Sequence, residues 1–188
     1  WIKEPRKMTY YAVRSSHNAR NMRKFWEKGE DCPIVFWLGH HPAVVMGSQG
    51  KMDYPQSHWE TVGAFLGEPL RLVPSKTHGE KIMVPADAEI VVEGWIPKDK
   101  LEPDGPFGEF HGYTGPQVLA SYCNVTAITM RKDAIYHDYG SGLTDMVVPD
   151  NMMMEGKLFG MVRELTPSVT KIHVPVSGRR FHAYLQLT

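Results

Sequence analysis

The chain has 188 residues, with 21 Lys and Arg balanced by 21 Asp and Glu, so its formal net charge is zero. This balance argues against a nucleic-acid-binding protein, which normally carries a basic excess. Hydrophobic residues make up 42% of the chain, too many for a disordered segment. No apolar run approaches the roughly 20 residues that span a bilayer. The first residues form no secretory leader. We expect a cytoplasmic globular protein that binds neither membrane nor nucleic acid.

Two further features bear on how the chain is built. Its two cysteines, Cys32 and Cys123, form no CxxC pair, so neither a disulfide framework nor a cysteine zinc site is expected. The chain begins at Trp1 rather than at Met, which indicates a trimmed or internal piece of a longer protein.

Apolar spacing and turn residues predict about three helices and roughly seven or eight short strands. The helices are expected at 17–29, 57–67 and 151–165, and Met22, Phe25 and Trp26 are expected to form the apolar side of the first. The second opens with a Ser that has Glu three residues later, the signature of a capping box. The strands are expected at 33–39, 70–73, 81–84, 89–96, 124–131, 134–136, 169–174 and 180–187, with a turn at Ser177-Gly178 joining the last two. Because the strands cluster rather than alternate with helices, we expect one α+β domain over 1–188, an antiparallel barrel or curled sheet with peripheral helices.

The segment 101–115, LEPDGPFGEFHGYTG, carries two carboxylates, Asp104 and Glu109, on either side of a Gly-Pro-Phe-Gly bend. Two acids held in a cleft can divide the work of proton transfer, one neutral and one ionised. The alternative on residue types alone is a glycine-rich surface turn with solvated acids.

Histidines form the second candidate set. His17 and His58 stand at predicted helix starts, where backbone N–H groups attract anions, and His40-His41 end a strand. No HxH or HExxH spacing makes a metal site, so a capping or partly buried role is the alternative for each.

Three other segments carry weaker signals. The run 47–51, GSQGK, resembles a phosphate loop but lacks the full spacing, so a polar connection is the simpler interpretation. The run Met152-Met153-Met154 is typical of a core-facing helix. Arg179-Arg180 flanks a turn and predicts no nucleic-acid contact.

The segment 84–115 resembles the signature of the UbiD family of prenylated-FMN decarboxylases. It reads VPADAEIVVEGWIPKDKLEPDGPFGEFHGYTG and has the pattern VPAxAEIVxEG followed by xGPFGExxGY. Weaker matches flank it, in PIVFWLGHHPAVVMGS, VGAFLGEPLRLVPSKT and AITMRKDAIYHDYGSGLTD. The resemblance implies a split β-barrel of the flavin-reductase type. It also implies that 1–188 is the central, cofactor-binding domain of a longer enzyme whose N- and C-terminal parts are absent here.

The family's activity implies a reversible (de)carboxylation of an aromatic or α,β-unsaturated carboxylic acid, with CO₂ as the other partner. The direction of the reaction is left open, because relatives of phenylphosphate carboxylase add CO₂ to their substrates. The implied cofactors are prenylated FMN and Mn²⁺, with K⁺ as a further candidate. The other UbiD domains or subunits are implied partners, in a homo- or hetero-oligomer. The alternative is a non-catalytic or partial flavin-binding module that needs another domain or subunit, and the isolated 188 residues are expected to be inactive.

The resemblance also assigns catalytic residues. Asp104 falls on the proton-donating acid, where the family usually has Glu, and Glu109 falls on its partner. Arg6 matches the arginine of the same network only if the loop that follows is shortened in this chain.

Cofactor and metal residues follow in the same way. His17 matches a metal-binding His, with Ser16 beside it near the flavin. His58 stands where the family has a metal-binding Glu, and Glu60 is the alternative if the register shifts by two. Ser48 and Gln49 match the loop that lines the flavin. No Asn precedes Arg6, so the family's third metal ligand, which lies ahead of that arginine, is missing.

Overall fold

The computed structural model describes residues 1–188 as four α-helices, a short 3₁₀ turn and ten strands. The helices are α1 (His17–Glu27), α2 (Pro42–Ser48), α3 (His58–Leu66) and α4 (Thr144–Leu165), and the 3₁₀ turn is Val176–Gly178. The strands are β1 (Ile2–Glu4), β2 (Lys7–Tyr10), β3 (Cys32–Leu38), β4 (Leu72–Ser75), β5 (Gly79–Pro85), β6 (Ile90–Ile96), β7 (Glu102–Asp104), β8 (Val118–Met130), β9 (Val169–His173) and β10 (Tyr184–Leu187). The expected mixed α+β class is confirmed. None of the helices combines the length and apolar character that a bilayer crossing requires.

The chain divides into two compact units. The first comprises residues 1–40, 71–107 and 115–138 and contains a six-stranded antiparallel sheet in the order β1-β2-β8-β6-β3, with β7 paired to β8. This sheet is open, and no closed barrel is formed. Strands β4 and β5 form a separate hairpin. Long β8 therefore organises the unit, because β2, β6 and β7 all pair with it.

Two hydrophobic clusters lie in the first unit. Helix α1 contributes Met22 to a cluster with Cys32 and Ile96. Phe25 and Trp26, on the same side of the helix, pack against this cluster. The second cluster joins Val84, Ala88 and Val91. The apolar face that spacing predicts for the first helix is therefore the face that packs.

The second unit comprises residues 41–70, 108–114 and 139–188. Helices α2 and α3 pack closely, and Val44 and Val62 are fully buried there. Gly47 makes this approach possible, because a Cβ at that position would overlap the backbone of Val62. Strands β9 and β10 pair antiparallel, with His173 opposite Tyr184.

The structure corrects several expectations. The last helix, expected at 151–165, begins at Thr144. Helix α2 was not predicted, since its paired valines favour strands, although Pro42 suits a helix start. The strand expected at 134–136 is wrong: Ile135 donates its N–H to the Glu89 side chain at 3.1 Å rather than to a sheet partner. The tight turn expected at 177–178 is a 3₁₀ turn, so the final strand begins at Tyr184 rather than at 180.

Candidate functional site

The first candidate acid, Asp104, ends β7 and is 4% exposed. Thr9 on β2 donates its hydroxyl to a carboxylate oxygen of Asp104 at 2.6 Å, and Thr9 is itself buried. Asp104 is therefore not a solvated acid on a surface turn; the sheet buries it and fixes one of its oxygens.

Lys7 and Glu102 form a second pair on the same two strands. Lys7 lies two residues before Thr9 and Glu102 two residues before Asp104, so each strand presents both of its residues on one face. The ammonium group of Lys7 bonds the carboxylate of Glu102 and lies 4.3 Å from the centroid of the Tyr122 ring. The hydrogen bond with Glu102 raises the pKa of Lys7. The sequence analysis did not identify Thr9 and Lys7. Each lies 95 positions from its partner, and no local pattern in the sequence indicates such a contact.

Arg6 lies in the turn between β1 and β2 and is exposed. Its carbonyl accepts a hydrogen bond from the N–H of Val125 at 2.8 Å. It precedes Thr9 by three residues, on the order of 10 Å along an extended strand. The cation that lies against β7 is Lys7, which bonds Glu102 on that strand.

The second candidate acid, Glu109, belongs to the second unit and is half-buried. It sits in a tight loop, which we call the acid loop, residues 108–114. The N–H of Glu109 donates to the carbonyl of Tyr113, and the N–H of Gly112 donates to the carbonyl of Glu109, both at 2.9 Å. Gly112 adopts a φ of 84°, which a glycine tolerates without strain. The carboxylate is thus carried by a turn whose backbone is internally bonded.

Ser16 and His17 begin α1 as the sequence predicts. Ser16 is the N-cap, and its hydroxyl oxygen accepts from the N–H of Ala19 at 3.2 Å. His17 is the first helical residue and is partly buried. The N–H groups of the first turn and the helix dipole make such an end favourable for an anion.

His58 repeats this arrangement at the start of α3, where Ser57 caps the helix and accepts from the N–H of Trp59 at 3.2 Å. An imidazole nitrogen of His58 lies 3.0 Å from the carbonyl of Gly50. The structure therefore brings His58 to the segment that carries Ser48 and Gln49. Glu60, the alternative to His58, is exposed.

Ser48 and Gln49 end α2. The hydroxyl of Ser48 donates to the carbonyl of Val45 at 2.8 Å, and Gln49 is the C-cap residue. A helix C-terminus carries partial negative charge, so it suits neutral hydrogen-bonding groups of a ligand better than a phosphate. His41 caps the other end of α2, since its imidazole accepts from the N–H of Ala43 at 3.2 Å.

These side chains do not fit a divalent-metal centre. No group of three or more His, Cys, Asp or Glu side chains comes together that could hold a metal ion. The nitrogen of His58 that faces Gly50 is already engaged with a carbonyl. Taken unit by unit, the polar groups suit parts of a flavin nucleotide: the serine-capped starts of α1 and α3 each suit an anion, and Ser48 and Gln49 offer neutral hydrogen-bonding groups.

Glu93 and Gly94 of the signature have structural roles. Glu93 is 1% exposed and accepts hydrogen bonds from the hydroxyl of Ser75 and the N–H groups of Lys76 and Thr77, at 2.8, 2.9 and 2.5 Å. Burial raises the pKa of Glu93, but these hydrogen bonds outweigh it and hold the pKa below its ordinary value. A Cβ on Gly94 would overlap the backbone of Asn124. Part of the signature therefore builds the sheet rather than the chemistry.

Comparison with known proteins gives one family and several similar structures. Residues 1–143 match the model of the UbiD family, described as the 3-octaprenyl-4-hydroxybenzoate carboxy-lyase Rift-related domain. The UbiD-class enzyme HmfF from Pelotomaculum thermopropionicum, solved in complex with FMN, is 30% identical with a TM-score of 0.94. The match covers 100% of this chain and 42% of that one.

Two other decarboxylases share the fold at lower identity. Vanillic acid decarboxylase from Sedimentibacter hydroxybenzoicus is 24% identical, with a TM-score of 0.88 over 99% of this chain and 39% of its own. The 3,4-dihydroxybenzoic acid decarboxylase AroY from Klebsiella pneumoniae is 21% identical, with a TM-score of 0.87 over 99% and 40%. The chain thus spans about two fifths of the length of these structures. Because the family model matches most of its residues, the chain belongs to the UbiD family.

Proposed function

We propose that the chain is the central, flavin-binding part of a prenylated-FMN-dependent enzyme that reversibly decarboxylates an aromatic or α,β-unsaturated carboxylic acid. The observation that carries the proposal is Asp104, a family-signature acid that is buried and held by Thr9 rather than solvated. Family membership supports the reaction class. Family membership and the antiparallel pairing of the six-stranded sheet support the further proposal that this part is a split β-barrel of the flavin-reductase type.

The structures of HmfF with FMN and of an evolved dimeric form with prenylated FMN support the cofactor. When bound, this flavin supplies the electron sink that the loss of CO₂ requires. From the family resemblance we assign Ser16 and His17, at the serine-capped start of α1, to the flavin, and Ser48 and Gln49 to the loop that lines it. This chain then contributes binding, orientation and proton transfer.

In this proposal Asp104 delivers the proton that replaces the departing carboxyl group. Its burial keeps bulk water from competing, and Thr9 fixes the orientation of the carboxyl. Glu109 is its partner in the proton-transfer network, and Arg6, whose side chain is exposed, is proposed to bind the substrate carboxylate. Asp104 is one methylene shorter than the usual Glu, so the substrate must approach the β7 strand more closely.

A second candidate follows from the length of the chain. It covers 42% of HmfF, so the remaining segments or subunits of the whole protein are proposed to complete the site. The 188 residues alone would then bind flavin without turnover. Assembly of the whole protein into an oligomer is part of this proposal, supported by the dimeric form of HmfF.

The experiment produces the whole protein together with a flavin prenyltransferase and records the visible absorption spectrum and CO₂ release from a panel of unsaturated and aromatic acids. Asp104→Asn should abolish turnover while the flavin absorption band persists. Asp99→Asn is the matched control, because Asp99 is an exposed acid just before β7 that pairs with Lys98. Full turnover by Asp104→Asn would contradict the assignment of the proton donor, and a colourless wild-type protein would contradict the proposed function itself.

A further inference from the structure

We propose that Arg180, assisted by Arg179, is a positioning residue that holds the acid loop and thereby sets the place of Glu109. The inference rests on the proposed function, in which Glu109 takes part in proton transfer. Both arginines lie beyond the residues 1–143 that match the family model.

The backbone at these two arginines is unusual. Arg179 has a φ of 46° and Arg180 a φ of 66°, the left-handed region that normally favours glycine. Such strain at consecutive non-glycine residues persists only when surrounding contacts hold it in place. The side-chain contacts of Arg179 and Arg180 provide that hold.

Arg179 forms a hydrogen bond with the backbone of the acid loop. Its guanidinium donates to the carbonyl of Phe110 at 3.4 Å and to the carbonyl of Gly142. A Cβ on Gly142 would lie 3.2 Å from this guanidinium, and one on Gly112 would lie 3.6 Å away. The guanidinium therefore fills the space beside two glycine backbones, one of which belongs to the acid loop.

Arg180 contacts the side chain of the same acid-loop residue, Phe110. Its guanidinium carbon lies 4.2 Å from the centroid of the Phe110 ring, within the range of a cation–π contact. Its Nε donates to Asn151 at 3.2 Å, and a terminal nitrogen pairs with Asp150. Phe110 is thus held by its carbonyl and by its ring, directly beside Glu109.

Ion pairs and hydrogen bonds with buried side chains fix the position of Arg180. Asp150 is 5% exposed, and its two oxygens are bound by Arg180 and by Lys51. Asn151 is 3% exposed and donates to the carbonyl of Val174 at 3.0 Å, which fixes the group that accepts from Arg180. Removing the Arg180 charge would leave a buried carboxylate with Lys51 alone, which is costly. We therefore expect Arg180→Met to release Phe110 and to let the acid loop move.

Hydrogen exchange measured by mass spectrometry tests this without any need for activity. In Arg180→Met, the amides of Glu109 and Gly112, which are bonded within the loop, should exchange at least about tenfold faster than in the wild type. Arg180→Lys should lie between the two, because lysine keeps the charge but loses the planar stack and the Nε donor. Arg163→Met is the matched control: Arg163 lies 5.4 Å from the ring of Phe159 within α4 and should leave the loop unchanged. Wild-type exchange of the loop in both Arg180 variants would overturn the inference.

Activity of the whole, flavin-loaded protein gives the second readout. Arg180→Met should lower kcat by about tenfold to a hundredfold, with KM changed by no more than about twofold. In a Glu109→Gln background the same substitution should add no further loss, because the two residues act through one group. An additional loss there would overturn the positioning role. Full activity of Glu109→Gln alone would instead contradict the role proposed for Glu109, while the exchange rates still decide whether Arg180 holds the loop.

Discussion

The hydroxyl of Thr9 donates to the buried carboxylate of Asp104 at 2.6 Å, although the two residues are 95 positions apart in the chain. Strand β8 makes this possible, because β2 and β7 both pair with it. The bond turns an acid from a glycine-rich segment into an oriented group within a sheet.

Replacement of Thr9 by Val should destabilise the fold by about 1–3 kcal/mol, because it leaves the buried Asp104 without its hydroxyl donor. Urea unfolding followed by circular dichroism measures the change. Thr9→Ser, which keeps the hydroxyl, should recover most of the loss, and Thr129→Val on the exposed part of β8 should change stability little. An unfolding free energy for Thr9→Val equal to that of the wild type would show that the bond contributes nothing.

Glu93 should make stability depend on acid pH. Its folded pKa lies below the ordinary value of 4.5, because hydrogen bonds to its carboxylate outweigh burial. Its contribution is therefore fully present above the unfolded pKa and is lost as pH falls through the folded pKa. Unfolding free energies measured between neutral pH and acid should fall across this window in the wild type.

The corresponding variant, Glu93→Gln, should be less stable at neutral pH by about 2 kcal/mol or more, since it loses charge-assisted bonds to the 75–77 turn. Its stability should also fall less steeply in acid. Glu80→Gln, an exposed acid on β5, is the control and should keep the wild-type slope. Identical slopes for Glu93→Gln and the wild type would refute the assignment.

The two cysteines should be unreactive in the folded protein. Cys32 and Cys123 are free and buried, and burial raises the pKa of each thiol to about 11. At pH 8 the thiolate fraction is then about one in a thousand. A chromogenic disulfide reagent should label neither thiol until guanidinium unfolds the chain, after which both should react. Rapid labelling of the native protein would show that the sheet opens readily around β3 and β8.

Gly47→Ala should weaken the packing of α2 on α3, because the added Cβ would overlap the backbone of Val62. Overpacking of this kind costs about 1–3 kcal/mol, and thermal unfolding should show the lower Tm. Gly156→Ala is the matched control, since its Cβ would meet nothing within 4 Å inside α4. That variant should gain up to about 1 kcal/mol from helix propensity. Equal Tm values for both variants would mean that the two helices are not closely packed.

Local chemistry determined much of this protein from the sequence alone. Ser16 and Ser57 mark the starts of α1 and α3, because a serine side chain satisfies N–H groups within its own first turn. The apolar spacing of α1 predicts the face that packs, and the signature 84–115 indicates the family that the family model confirms. Each of these features depends on residues close together in the chain or on a continuous motif.

Tertiary structure decided the rest. The valines of α2 favour a strand by propensity, yet close packing against Val62 accommodates a helix. The segment at 134–136 looks like a strand, but Glu89 takes its backbone hydrogen bond. Thr9 becomes a partner of Asp104, and Arg180 adopts a left-handed backbone over Phe110, through contacts between distant segments. The spacing of residues in the sequence does not predict such contacts. They join distant segments, and they stabilise the protein only after folding has brought those segments together and removed water from between them.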